Sequence, residues 1–453
     1  MRQAMTIGLV LAAVGLSCAA EPPATPATTA ASPSPGGAGG LQVAWSFAKP
    51  YAMMLSSPVV RGDRVYGAWC ISDISRNFGS VFCLDAATGK PVWQVEKEGG
   101  EDLHGIFSSP VLTADGKYLV IGSGMEFDEE GTFLFCFEAE SGRLHWKRPV
   151  PGYHIMGTPA VLSDMVVAGA GAIERNDHVE IKNTGYVFAV RISDGKDLWK
   201  FDLVDPESSP AFAPDGTLYI GSGLPLEDKP GTGAAVYALR TATDDELKAK
   251  GLPRVIWRAE TPWGATGPIT LTDDLALVGC GRSWWGFAVL DGEYDQPLAG
   301  AVVAIDRASG KVRWKVDTAD SVTAAVAVAD GKAVCPVGGH PKYSMTDPPK
   351  GELLALDLKD GKKLWSAKVS QTQPILAAPA VAGKYVYAVA ADGTLAVLNL
   401  ADGTVVEKHI VNSDAEPAAE SMCTSAPLIV GSKLYVGSET GGLRCFSAGK
   451  TAP

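Results

Sequence analysis

From Leu41 onward, the apolar residues fall in short, β-branched or aromatic runs broken by polar turns rich in Gly and Asp. No run keeps a helical period long enough to build a helix, so the pattern predicts strands throughout. One phrase recurs: Gly, an apolar strand, a turn ending in Gly, and Trp four residues after that Gly. It is read at Gly79-SVFCLDAATGKPVW, Gly131-TFLFCFEAESGRLHW, Gly185-YVFAVRISDGKDLW, Gly300-AVVAIDRASGKVRW and Gly351-ELLALDLKDGKKLW. Gly393-TLAVLNLADGTVVE keeps the phrase but puts Glu407 where Trp belongs. Ala234-AVYALR opens a further copy, interrupted by TATDDELKAKGLPR before Trp257.

A second phrase precedes the first: a Pro-containing strand, a short turn and another strand, as in Ser57-PVVRGDRVYGAW, Ser109-PVLTADGKYLVIGSG, Ser209-PAFAPDGTLYIGSG and Ala426-PLIVGSKLYVGS. Each period of roughly 50 residues then holds four strands, which is the signature of a propeller blade. The last copy, ending at Gly442-LRCFSAG, lacks its Trp strand. The first ordered stretch, Leu41-QVAWSF, is a lone Trp strand. Pairing the two closes a ring of eight blades and removes its exposed edges. The fold class is therefore all-β: an eight-bladed β-propeller, four antiparallel strands per blade, over 41–449. The recurring Trp45, Trp93, Trp146, Trp199, Trp257, Trp314 and Trp365 are expected to form a buried girdle between blades, with no chemistry of their own.

The phrase A-x-D-x-x-T/S/D-G-x-x-x-W resembles the tryptophan-docking repeat of PQQ-like β-propellers. That resemblance implies one of two classes. Quinoprotein dehydrogenases use PQQ and calcium, and BamB-like propeller lipoproteins bind proteins without catalysis. The calcium-dependent dehydrogenases carry two adjacent cysteines beside the cofactor, and this sequence has no Cys-Cys pair. Their longer, inserted blades are also missing. The resemblance thus implies a non-catalytic binding or scaffolding module with no cofactor, in place of a PQQ- and calcium-dependent enzyme.

Composition adds location. Arg2 and the apolar run Ala4 to Leu16, too short to span a bilayer, read as an export signal over 1–20. Leu16-Ser17-Cys18 is similar to a lipobox, which would lipidate Cys18. Cleavage after Ala20, giving a secreted protein, is the alternative. Residues 21–40 are Pro/Ala/Thr/Gly-rich and read as a disordered tether. The expected location is periplasmic, or anchored to the outer membrane by lipid alone. A formal charge of -12 opposes nucleic acid and anionic membrane surfaces as partners. The expected partners are envelope proteins, including an outer-membrane assembly complex. Of the eight Cys, Cys83, Cys136 and Cys445 fall at one repeat position where other copies carry Ala189, Ala238, Ala304 and Ala355. They read as small packing residues.

The meander puts the A–B and C–D turns on one face and the longer B–C and D–A connections on the other. The candidate contacts lie on that second face: Trp284 and Trp285 in the blade-five loop Gly281-RSWWGFAVLDGEYDQPLA, and His104, His154, Trp263, Gln373 and Glu420 in D–A connections. The paired tryptophans would equally suit a carbohydrate- or peptide-binding surface. Asp291, Glu293 and Asp295, like Glu126 to Glu130, read as solvated acidic loops, without the Gly and distant Glu of a calcium loop.

Overall fold

In the computed structural model the described residues are 40–448, apart from 50–51, 73–76, 100, 125–131, 176–180, 205, 207, 224–233, 242–252, 282–299, 339–350, 372 and 413–422. They form eight sheets, with no helix among the described residues. Blade six shows the plan. Strands A to D are Ala327–Ala329, Lys332–Val337, Glu352–Asp357 and Lys363–Lys368, antiparallel in that order. The same order holds over 111–149, 160–202, 211–260, 270–318 and 380–410. A strands of neighbouring blades approach one another, so they line the axis.

The ring closes as the sequence predicts. Blade eight takes its A, B and C strands from Leu428–Val430, Lys433–Ser438 and Gly442–Ala448. Its D strand is Leu41–Phe47, paired antiparallel from Leu41↔Ala448 to Phe47↔Leu443. Blade one (59–95) carries three further strands. Ala52–Met53 pairs with its B strand, Glu101–His104 with its C strand, and Lys97–Glu98 with Glu101–His104.

The core lies between blades, because each blade buries both faces against its neighbours. One cluster joins Leu277, Val302 and Trp314 of blade five to Ala333, Cys335 and Leu356 of blade six. Another joins Trp45, Leu443 and Cys445 of blade eight to Val65, Trp69 and Phe82 of blade one.

The repeated phrase acquires a mechanism here. Six of the seven girdle tryptophans lie on the C–D hairpin of the next blade and donate the indole N–H to a carbonyl there. The pairs are Trp45 to Ala86 (3.2 Å), Trp93 to Ala139 (3.0 Å), Trp146 to Ile192 (2.6 Å), Trp257 to Arg307 (2.8 Å), Trp314 to Leu358 (2.9 Å) and Trp365 to Leu400 (3.0 Å). The hairpin glycine is needed twice over. Gly361 has φ +75°, and a Cβ there would sit 2.9 Å from the Trp314 ring. The Asp and Ser/Thr of the phrase shape the same turn: Asp306 Oδ1 accepts from Ser309 N (2.9 Å) and Oγ (2.7 Å). These bonds, the Ser309 hydroxyl first, hold the Asp306 carboxyl at about 2.

The Cys/Ala position is explained by register. Trp45, Trp93 and Trp146 face Cys445, Cys83 and Cys136 across the strand pair, and Trp199, Trp257, Trp314 and Trp365 face Ala189, Ala238, Ala304 and Ala355. A bulge at the residue before each Trp aims the indole at the next blade, and only a small side chain fits opposite.

Candidate functional site

The face with the B–C and D–A connections is uneven. Among the described residues, blade three raises its B–C hairpin furthest: Met165–Arg175 and Ile181–Arg191 stay in register out to Arg175↔Ile181. Blade one does so to a lesser degree, out to Ser72↔Asn77. Blades seven and eight are low, with short turns through Gly393 (φ +79°) and Gly442 (φ +65°). The opposite face also departs from uniform tight turns. Blade four joins Ala235–Arg240 to Arg254–Glu260 through thirteen residues, 241–253.

The D–A connections lie flat across the B–C hairpins. His104 pairs with Phe78, and its ring centroid is 6.1 Å from that of Phe133. His154 is buried and forms a two-way bridge with Gly171, N to O at 2.9 Å and O from N at 3.1 Å. Gly264 also bridges Gly281, whose N donates to Gly264 O at 3.1 Å, and the neighbouring Trp263 is half-buried against the blade-four and blade-five core. The Trp263 carbonyl accepts from Thr261 Oγ1 at 2.8 Å. Gln373 N donates to Ser370 Oγ at 3.2 Å, and Ser370 Oγ donates to Asp392 Oδ2 at 2.6 Å. The four seats differ: His104 is tied to blade one, which its connection leaves, whereas His154 and the Trp263–Gly264 pair sit against blades three and five, which their connections enter, and Gln373 is linked through Ser370 to blade seven. Trp284, Trp285 and Glu420 lie outside the described residues, as do the acidic loops at 126–130 and 291–295, Cys18 and the segments 1–20 and 21–39.

Near the axis, hydroxyls at three blade junctions form links that strand reading alone missed. Ala426 N donates to Ser57 Oγ, Ser57 N to Ser109 Oγ, and Thr158 N to Ser209 Oγ, each at 2.9 Å and each between adjacent blades. The residues before them tie inward: Ser56 Oγ to Ala68 O (2.7 Å), Ser108 Oγ to Gly122 O (2.9 Å). The available signal was a buried hydroxyl repeated before Pro at the start of an apolar strand.

Chemically, the described part of this face offers little reactivity. Burial pushes the Cys70, Cys136 and Cys280 thiols up to about 12 and those of Cys83 and Cys445 to about 11, so none is a thiolate nucleophile at neutral pH. Among the described residues no group of three or more His, Cys, Asp or Glu could hold a metal ion. The described cysteines are all free, and none neighbours another in sequence. The residues described thus do not supply the cysteine pair and ligand cluster expected beside PQQ and calcium.

Fold and repeat define a PQQ-like propeller with a decorated mouth. The chain belongs to the family described as outer membrane protein assembly factor BamB, whose model matches residues 77–180 and 298–451. Among similar proteins is the outer membrane protein assembly factor BamB of Yersinia pestis, 26% identical over 82% of this chain and 80% of that protein. The dehydrogenase subunit of the quinone alcohol dehydrogenase of Gluconobacter oxydans is 24% identical over 63% of this chain, but the match spans only 36% of that protein. Among solved structures, BamB from Moraxella catarrhalis superposes with a TM-score of 0.59 at 16% identity, over 90% of this chain and 99% of that one.

Proposed function

We propose that this protein is an exported, non-catalytic propeller that binds other envelope proteins and serves outer-membrane protein assembly from the periplasmic side, anchored through Cys18. The observation that carries this reading is the difference in coverage. The chain matches four-fifths of a BamB but about a third of a quinone dehydrogenase. On this reading the ring is a rigid frame and the B–C and D–A face is the docking surface. His104, His154, Trp263, Gln373, Trp284 and Trp285 lie at or near the contact. PQQ and calcium have no part in it.

The quinoprotein reading keeps the support of the similarity to the Gluconobacter oxydans subunit and to a quinohemoprotein alcohol dehydrogenase of Pseudomonas putida. Native mass spectrometry of protein purified from its own envelope separates the two. A bound outer-membrane assembly protein is the expected result. A PQQ adduct, together with substrate-dependent dye reduction after calcium addition, overturns the proposal.

With the partner in hand, the double change Trp284→Ala with Trp285→Ala should weaken binding by at least about 2 kcal/mol while leaving Tm near wild type. The control is Asp215→Lys, in the blade-four A–B turn on the other face. Weakening by the control alone would place the interface on the wrong side of the ring.

A further inference from the structure

One junction of the ring is built differently. Blade eight has no C–D hairpin, because its C strand ends at Ala448 and its D strand begins at Leu41. A tryptophan reaching from blade seven would find neither a hairpin glycine nor a hairpin carbonyl. At that position stands Glu407, and its cross-strand partner is Val397, whereas every girdle Trp faces Ala or Cys. The two positions have changed together.

Glu407 Oε1 accepts from Leu41 N at 2.7 Å across 366 residues of chain. The same oxygen lies 2.5 Å from His409 Nε2. The His409 ring also packs on Phe446 of blade eight, centroids 5.9 Å apart. Gly40, at φ +69°, turns the chain into the strap, and a Cβ there would meet Glu407 Oε1 at 2.8 Å. On its other side the strap is fastened by Trp45, docked on Gly89 and Ala86 of blade one.

We propose that Glu407 and His409 form a latch for the strap Leu41–Phe47, replacing the hairpin that blade eight lacks, so that the ring opens at this seam before any other. The carboxylate supplies the acceptor that an exposed strand start needs, since the first N–H of the strap has no hairpin to close it. A charge-assisted bond of this kind is stronger than a neutral one. The strap still lacks the covalent turn that joins the C and D strands of the other blades, and is held by its pairing with Gly442–Ala448, by Trp45 and by this latch. Any pull on the residues preceding Gly40 enters the ring here.

The test is amide hydrogen exchange on the whole protein, comparing the strap with the blade-five C strand Gly300–Asp306. In the wild type the strap should exchange faster than Gly300–Asp306. Glu407→Ala should speed strap exchange at least tenfold and leave Gly300–Asp306 unchanged. Glu407→Gln, which keeps an acceptor but loses the charge, should fall between. Glu407→Trp, which restores the repeat, should also loosen the strap and lower Tm, because nothing is there for the indole to dock on. A tighter strap or a higher Tm in Glu407→Trp overturns the latch. So does a strap unaffected by Glu407→Ala, or an equal loss of protection across strap and Gly300–Asp306.

Discussion

Two junctions in the girdle look alike in the repeat phrase and differ in the structure. Trp314 lies on Gly361 and donates to Leu358 O. Trp199 is as deeply buried, at 7% exposure, but its indole N–H has no partner among the described residues. The difference traces to the next blade. Blade six closes its C–D hairpin with the tight Asp-Gly turn, whereas blade four spends 241–253 on that connection and has Pro253, in place of Gly, four residues before Trp257. The indole therefore owes its bond to the neighbour's turn, while its burial comes from the apolar strands of both blades and does not need that turn. A tryptophan phrase in the sequence guarantees only the burial.

The largest effect that tests this comparison is Trp314→Ala. It should cost about 3–5 kcal/mol, the usual range for emptying a large aromatic core site, read by chemical denaturation with partner binding of the folded fraction unchanged. Denaturation within error of wild type would remove the girdle's structural role. Next is Gly361→Ala. It places a side chain at φ +75° and against the Trp314 ring, so a loss of about 1–3 kcal/mol is expected. A neutral result would show that the hairpin yields, and that the turn does not position the indole.

Much of this was legible in the sequence, for a physical reason. The Trp phrase, its small cross-strand partner and its hairpin glycine all sit within one blade, so local spacing exposes blade, period and ring closure together. What crossed between blades was harder to read. Ser57 and Ser109 show only as hydroxyls before Pro, and their bond exists only because adjacent A strands meet at the axis. Glu407 was visible as an exception, but its partner Leu41 lies 366 residues away. The proposed docking face was legible only as a place. His154 shows why: a histidine at a funnel mouth reads as a candidate ligand, yet its backbone is what the fold uses, in the bridge to Gly171.

The smallest and sharpest test replaces each indole with a ring that cannot donate. Trp314→Phe removes a bond to Leu358 O and strands that carbonyl, which should cost about 1 kcal/mol beyond the change in ring size. Trp199→Phe makes the same change in size but has no bond to lose, and it removes a buried donor that carries a desolvation cost. The two variants should therefore differ in stability by about 1 kcal/mol or more, with Trp199→Phe the milder. Measuring them as a pair cancels the ring-size term, since both tryptophans face an alanine, Ala304 and Ala189, across the same bulged pairing. Equal losses would mean that Trp199 finds an acceptor in solution after all, and that the long connection of blade four substitutes for the turn it replaced.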